Sequence, residues 1–167
     1  KLRQKHPEAG YSPYLEHYLR PVLAQAKEAG ITIISNMGAA NPVGAARQII
    51  RLAAELDMPV PSIAVVIGDD VRAFLDDRLL ATAEIIEGNE LYAENIVSAN
   101  AYLGARPIAE ALSHSPDIVI VGRTTDSALV LGPLIHEFGW SEDAYDKLAS
   151  GTICGHLLEC GGQVTGA

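Results

Sequence analysis

The chain alternates short aliphatic runs with amphipathic stretches, and each aliphatic run gives way to a polar loop. Such runs occupy Ile31–Ser35, Ile63–Ile67, Ile96–Ala101 and Asp117–Val121. Runs of five or six residues that are apolar on both faces, separated by helical patterns, predict strands of a parallel sheet with both faces covered. The predicted fold class is therefore α/β: an open, mainly parallel sheet of about four strands with helices on both faces, a Rossmann-like three-layer arrangement.

Helical periodicity fills most of the segments between these runs. Asn41 occupies an N-cap position and Pro42 the first helical position of a helix that is predicted to reach about Leu56. Apolar spacing predicts that its buried face is formed by Ala46, Ile50, Ala53 and Ala54. The segment Ala83–Glu94 is ambiguous, and further helices are predicted over Val71–Thr82, Pro107–Leu112, Ser127–Phe138, Ser141–Leu148 and Gly151–Cys160.

The loops that follow the strands carry most of the candidate chemistry. Right-handed crossovers between parallel strands place these loops at one edge of the sheet. Open α/β sheets bind ligands at this edge, beyond the carboxyl ends of the strands. We therefore expect a site where the following polar residues converge: Asn36, Asn41, Asp69, Asp70, Ser98, Asn100 and the run from Arg123 to Ser127.

The loop from Arg123 to Ser127 is the strongest candidate. An arginine directly after a buried strand is positioned to hold a carboxylate or phosphate through two parallel hydrogen bonds. The alternative is an ion pair between Arg123 and Asp126, with Asp126 or Ser127 capping the next helix. A cap needs one polar residue and this loop supplies five, which favours a functional role.

Two earlier loops offer weaker candidates. The loop from Asn36 to Pro42 precedes a helix N-terminus and suits a phosphate or carboxylate, but a well-capped turn at Asn41 explains it equally well. Asp69 and Asp70 suit a divalent cation or a general base. A carboxylate that caps the following helix explains at least one of the two, and this interpretation is favoured.

The histidines and cysteines with neighbouring carboxylates lie on predicted helices. His136, beside Glu137, lies near a helix C-terminus, where the helix dipole favours a cation, so a structural role is preferred to acid–base chemistry. His156, Glu159 and Cys160 share one helix face, which suits a nucleophile with its base or a metal site. The acidic surroundings disfavour a thiolate. We therefore predict a buried Cys160 thiol and a hydrogen-bonded His156, on a helix packed against the sheet edge or a second subunit of a homo-oligomer.

Composition limits the possible functions without choosing one. A chain of 167 residues that is 49% hydrophobic suffices for one core, so residues 1–167 are expected to form a single α/β domain, a fragment of a larger protein. The net charge of −9 and the lack of a Lys/Arg-rich run argue against a nucleic-acid partner. There is no signal peptide, no membrane-spanning apolar stretch, and only two cysteines, so a cytoplasmic protein with reduced thiols and no membrane partner is expected.

Four segments carry a resemblance to a known family. SNMGAANPVGAA, SANAYLGARPIAEAL, GRTTDSALVLGPLIHEFGW and GTICGHLLECGGQVTG resemble the acyclic terpene utilisation (AtuA) family, and the likeness runs from about Ala9 to Ala167. The last two segments are specific to the family rather than generic α/β patterns. The resemblance implies a part in the bacterial breakdown of citronellol, geraniol and related branched acids through CoA thioesters.

The resemblance and the convergent loops together favour an enzyme that acts on a small-molecule carboxylate or a CoA thioester. Arg123 would hold the acid or thioester oxygen, and Asp126 or Asp69 would move a proton. Asn36 and Asn100 would orient the substrate, with further contacts from Asn41, Thr124 and Ser127. Lyase or hydratase chemistry fits carboxylates, amides and an arginine without a nucleophile triad.

Other functions stay open at this point. One is a non-catalytic ligand-binding or assembly subunit of a larger catabolic complex, since fold alone does not exclude it. Another is a divalent-metal site that uses Asp69, Asp70 or Asp126. A nicotinamide dehydrogenase is disfavoured because no G-x-G-x-x-G follows a predicted strand, and the sequence identifies no cofactor.

Overall fold

The computed structural model of the chain has an α/β fold organised around a three-stranded parallel sheet. It describes residues 6, 8–82, 92, 94, 96 and 98–166. The strands are β1 (Ile33–Ser35), β2 (Ile63–Val66) and β3 (Ile118–Val121), in the order β1-β3-β2. Both outer strands run parallel to β3, and their first residues lie opposite Ile118. The α/β class and the parallel sheet are thus confirmed, whereas the Rossmann-like description stays a prediction.

Strand β3 is the centre of the core. All four of its residues are buried, because strands flank both of its edges and helices cover both of its faces. Ile118 and Ile120 pack in a cluster with Leu15, Leu23 and Ile49, and Val119 and Val121 pack in a second cluster on the opposite face. This alternation follows from the two-residue period of a strand.

The helices of the first face come from the N-terminal half of the chain. They are α1 (Leu15–Leu19), α2 (Leu23–Glu28) and α3 (Pro42–Glu55). Helix α3 begins as predicted, because the side chain of Asn41 accepts a hydrogen bond of 3.0 Å from the backbone N–H of Gly44. The chain after α3 contributes α4 (Asp77–Leu80), α5 (Arg106–Leu112), α6 (Ala128–Phe138) and α7 (Tyr145–Cys160), with 3₁₀ turns at Arg72–Phe74 and Gly161–Thr165.

Within the described residues, the run predicted as a strand at Ile96–Ala101 does not join this sheet as a fourth strand. Val97 lies outside the described residues, and Asn100 forms an isolated antiparallel bridge with Asp70. Among the described residues the sheet therefore has three strands, because an aliphatic run becomes a strand only where it finds a partner. Most of Ala83–Glu94 also lies outside the described residues.

Several helix predictions need correction. The two helices predicted over Ser141–Leu148 and Gly151–Cys160 are replaced by the single helix α7. Within α7, the hydroxyls of Ser150 and Thr152 donate hydrogen bonds to backbone carbonyls one turn earlier. Val71–Thr82 forms the short 3₁₀ turn and α4 rather than one helix.

The buried face of α3 is also displaced from the predicted one. Ile50 and Ala54 are exposed, and the helix instead buries Ala45, Ile49 and Leu52 with Ala46 and Ala53. Helices α1 and α2, which the sequence reading did not assign, supply Leu15, Leu19 and Leu23 to the same cluster. No helix in the described part of the chain has the length and apolar character needed to cross a bilayer.

Asp117 holds together the amino ends of all three strands. Its carboxylate accepts hydrogen bonds from Lys27 Nζ (2.7 Å), from Ser62 N (2.6 Å) and from Ser62 Oγ (2.9 Å). Its backbone carbonyl accepts from Ile33 N at 3.0 Å. The Lys27 ammonium, followed by the Ser62 donors, lowers the pKa of this carboxyl below its ordinary value near 3.8.

Asp117→Asn should lower the free energy of unfolding at pH 7 by about 1–3 kcal/mol, since charge-assisted hydrogen bonds are lost. A carboxyl with a lowered pKa in the folded state stabilises fully above its unfolded pKa and loses that effect as the pH falls through the folded value. Urea unfolding should therefore give a constant difference between wild type and variant from pH 5 to 8, and a shrinking one below about pH 4. A difference that grows as the pH falls would contradict this role.

Candidate functional site

A cavity of about 410 Å³ opens at the carboxyl edge of the sheet. Five parts of the chain form its wall: the N-terminal segment, the loop after β1, the segment around Tyr102, the loop after β3, and the last turn of α7. The lining residues are Ser12, Tyr14, Tyr18, Asn36, Met37, Ala39, Tyr102, Gly122, Arg123, Thr124, Asp126 and Glu159. Its position agrees with the expectation that the polar loops converge at this edge.

Four of the predicted site residues line this cavity: Asn36, Arg123, Thr124 and Asp126. The Arg123 guanidinium lies over the ring of Tyr102, with Cζ 5.4 Å from the ring centroid. This cation–π contact orients the guanidinium while its N–H groups stay available for hydrogen bonds. The alternative of an ion pair is not observed, since within the described residues no salt bridge joins Arg123 to Asp126.

Thr124 joins two loops at the floor of the cavity. Its buried hydroxyl donates a hydrogen bond of 2.7 Å to the carbonyl of Leu103. The same carbonyl accepts from Thr125 N at 2.9 Å, and Leu103 N donates to the Arg123 carbonyl at 3.2 Å. The loop after β3 is therefore held to the segment that carries Tyr102.

Asp69 lies beneath the cavity and does not line it. Its side chain is only 4% exposed, and Oδ2 accepts hydrogen bonds of 3.0 Å from both Arg123 N and Asn100 Nδ2. Gly122 allows this approach, because a Cβ at that position would lie 2.6 Å from Oδ2. We call these contacts the Asp69 brace, since they join the loop after β2, the loop after β3 and the segment around Asn100.

The remaining predicted residues have structural surroundings. Asn41 is buried; besides capping α3, its Nδ2 donates to the carbonyl of Ala9 at 2.9 Å. Asp70 accepts from Arg72 N at 3.2 Å in the turn that follows β2. Ser127 lies under α7 at the start of α6, and Ser98 is exposed. None of these four lines the cavity described above.

Three tyrosines were missed by the sequence reading. Tyr14, Tyr18 and Tyr102 line the cavity although they are 63%, 58% and 56% exposed, respectively. Large aromatic rings left this open at a cavity offer apolar surface with a hydroxyl at its edge. The available signal was the spacing of Tyr14 and Tyr18, which are four residues apart and so share a helix face.

The residues His156, Glu159 and Cys160 share one face of α7, as predicted. Cys160 Sγ lies 3.9 Å from His156 Nε2 and 3.6 Å from Glu159 Oε2. Partial burial raises the pKa of the Cys160 thiol, and the carboxylates of Glu159 and Asp126 raise it further. The thiol is therefore protonated at neutral pH, which argues against a nucleophilic role.

One of the two packing alternatives predicted for this helix needs a correction. Helix α7 packs on α6, through its buried residues Gly151 and Gly155, rather than on the sheet edge, whereas contact with a second subunit stays a prediction. The pair His136 and Glu137 lies along a separate depression that also includes Asp117 at the opposite, amino edge of the sheet. In the described part of the chain, no three His, Cys, Asp or Glu side chains form a group suited to a metal ion.

The chain belongs to the acyclic terpene utilisation family. Its sequence matches the family described as acyclic terpene utilisation family protein AtuA over residues 1–167. The comparisons with curated proteins and with solved structures gave no match. The family resemblance identified from the four sequence segments is thus confirmed, and membership connects the chain with acyclic terpene utilisation.

Asp69→Ala should destabilise the protein far more than Asp126→Ala. Removing the Asp69 carboxylate leaves the buried donors on Arg123 and Asn100 without their acceptor, at a cost of about 1–3 kcal/mol for each. Asp126 is exposed, so its truncation should change the free energy of unfolding by less than about 0.5 kcal/mol. Urea unfolding of both variants measures the contrast, and equal losses would rule out the brace.

Cys154 should react with a thiol reagent faster than Cys160 in the native protein. Cys154 is exposed, whereas the Cys160 thiol is partly buried and its pKa is raised. The matched variants Cys154→Ser and Cys160→Ser leave one thiol each, so their labelling rates between pH 7 and 10 separate the two sites. Faster labelling of Cys160 at pH 7 would instead identify an activated thiolate.

Proposed function

We propose that this member of the acyclic terpene utilisation family binds a small branched carboxylate, free or as the acyl part of a CoA thioester, and carries out lyase or hydratase chemistry on it. The observation that carries the proposal is the Arg123 guanidinium, stacked on Tyr102 at the wall of the cavity. Family membership supplies the chemical context, acyclic terpene utilisation.

Arg123 supplies the recognition of the carboxyl or thioester oxygen. It is the only Lys or Arg among the described residues that line the cavity. A guanidinium binds a carboxylate through two parallel hydrogen bonds, and a side chain already held by an aromatic ring loses less rotamer freedom on binding. The Asp69 brace fixes the arginine backbone as well, so the cation is positioned before the ligand arrives.

The rest of the wall suits a branched aliphatic chain. Met37, Tyr14 and Tyr18 contribute apolar surface to the lining. A volume of about 410 Å³ falls within the range of small-molecule sites, roughly 300–1,000 Å³. The acyl group would occupy the cavity, and the remainder of a CoA ester would extend outside it.

Asp126 is the group we assign to proton transfer. In an elimination, Asp126 would remove the proton from the carbon next to the carbonyl, and negative charge develops on the carbonyl oxygen, which Arg123 would stabilise. The hydroxyl on the neighbouring carbon would then leave as water by taking up the proton that Asp126 has accepted, and hydration is the same sequence in reverse. Asn36 would orient the substrate, and Thr124, whose proton goes to Leu103, would offer only its oxygen lone pairs. Asp69 positions Arg123 rather than reacting.

Arg123→Gln should weaken binding of a branched acid such as citronellate, and of its CoA thioester, by at least about tenfold, because a charge-assisted contact is worth about 1.5–3 kcal/mol. The affinity of Arg123→Lys should fall between those of the wild type and Arg123→Gln, since lysine keeps the charge but lacks the planar guanidinium. Calorimetric titration measures these affinities. The exposed Arg51 on α3, which is outside the cavity, gives the matched control Arg51→Gln.

Measuring turnover of the CoA thioester distinguishes an enzyme from the non-catalytic binding subunit that the sequence also allowed. Asp126→Asn should retain binding and lose activity if Asp126 moves the proton. Binding by the wild type with no turnover would favour the non-catalytic subunit. An Arg123→Gln variant that binds as tightly as wild type would contradict the proposed site altogether.

A further inference from the structure

The last turn of α7 forms part of the cavity wall. Glu159 lines the cavity together with Asp126, although 33 positions separate Glu159 from Asp126 in the chain. Both side chains are exposed, and no salt bridge joins either of them to another described residue. The ionised groups at the wall are therefore one guanidinium and two carboxylates, so the described lining carries a net negative charge.

A close helix contact fixes the position of this wall. Gly155 packs directly on the start of α6, where a Cβ would lie 2.6 Å from the Ser127 carbonyl oxygen and 2.9 Å from Ser127 Cα. These are backbone atoms, which do not move aside as a flexible side chain would. Since Ser127 follows Asp126 and Glu159 lies one helical turn after Gly155, the contact brings the two carboxylates to one cavity.

The shared surroundings of Cys160 support the same placement. Both Glu159 and Asp126 act electrostatically on its thiol, in the direction that keeps the proton on sulfur. Both carboxylates therefore lie near the Cys160 thiol as well as in the cavity lining. Neither forms an ion pair with Arg123, and both side chains are exposed, so their oxygens can accept hydrogen bonds from a ligand.

We propose that Glu159 is a specificity residue of the proposed site, and that with Asp126 it accepts hydrogen bonds from a hydroxyl group of the ligand. The ligand is then a hydroxy acid, with its carboxyl or thioester oxygen at Arg123 and its hydroxyl at the two carboxylates. Ionised carboxylates accept hydrogen bonds and offer no donor. They therefore favour a donor group at this wall and repel a phosphate or a second carboxylate. This inference rests on the proposed function.

The experiment compares two acids that differ only by a hydroxyl, such as 3-hydroxycitronellate and citronellate, by calorimetric titration. The wild type should bind the hydroxy acid more tightly. Glu159→Gln keeps the shape of the side chain and removes its charge, so it should reduce the preference for the hydroxy acid roughly fivefold, because the hydrogen bond to the hydroxyl is no longer charge-assisted. Glu137→Gln changes an exposed glutamate outside this cavity and is the matched control.

A second pair of variants tests the placement of the wall without altering Glu159. Gly155→Ala should displace the end of α7 and reduce the preference for the hydroxy acid. Gly162→Ala, where an added Cβ meets nothing within 4 Å, should leave it unchanged. If Gly155→Ala fails to fold, the Glu159→Gln result still decides the question.

The outcomes also separate this inference from the function it rests on. If Arg123→Gln weakens both acids and Glu159→Gln leaves their affinity ratio unchanged, the role of Glu159 is wrong and the proposed site stands. If neither acid binds the wild type, or if Arg123→Gln has no effect, the proposed function fails and this inference fails with it.

Discussion

The candidate site depends on one buried carboxylate. Asp69 is almost inaccessible to solvent, and a single oxygen of its side chain receives the backbone N–H of Arg123 and the amide of Asn100. Burying a charge costs free energy unless hydrogen bonds compensate it, and here two donors do so. Gly122 makes the approach sterically possible. This interaction, together with the hydrogen bonds between the Arg123 loop and Leu103, holds the backbone from which the guanidinium extends.

The sheet order explains why that carboxylate reaches the arginine loop. Strand β3 lies between β1 and β2, so the loop after it has the other two strand-to-helix loops on either side. The Asp69 loop approaches from β2 and supplies the brace, and the Asn36 loop approaches from β1 and supplies part of the cavity wall. A central strand buried on both faces is also the most rigid part of such a fold. Arg123 therefore lies two residues after the most buried strand of the sheet.

Much of the sheet and of the candidate site was predictable from the sequence. The features that were not predictable depend on which residues come together in the folded chain. Strand and helix patterns located β1, β2, β3 and α3, and the convergence of their loops follows from the handedness of crossovers. Sequence alone did not distinguish Asp69 from Asp126, since each follows a strand within a polar loop. The two carboxylates differ in the hydrogen-bond donors that approach them in the folded structure. The same limit applies to the run at Ile96–Ala101, and to Gly151, which was predicted to begin a helix but lies inside a longer one.

Tyr14 and Tyr18 line the cavity from the N-terminal segment, where the sequence pattern predicted no helix. The N-terminal residues are tied to the loop after β1 by three hydrogen bonds: Ser12 N to Met37 O (2.8 Å), Ala40 N to Gly10 O (2.9 Å) and Asn41 Nδ2 to Ala9 O (2.9 Å). Leu15 and Leu19 then anchor α1 in the core, which leaves the other face of the helix, with Tyr14 and Tyr18, towards the cavity. The N-terminal segment and α7 thus add walls to a floor that the sheet provides. The last turn of α7 is exposed, whereas α1 is anchored in the core, so local opening of that turn would remove one wall while the sheet and the Asp69 brace stay intact. Ligand affinity is therefore expected to respond to the end of α7 more than fold stability does.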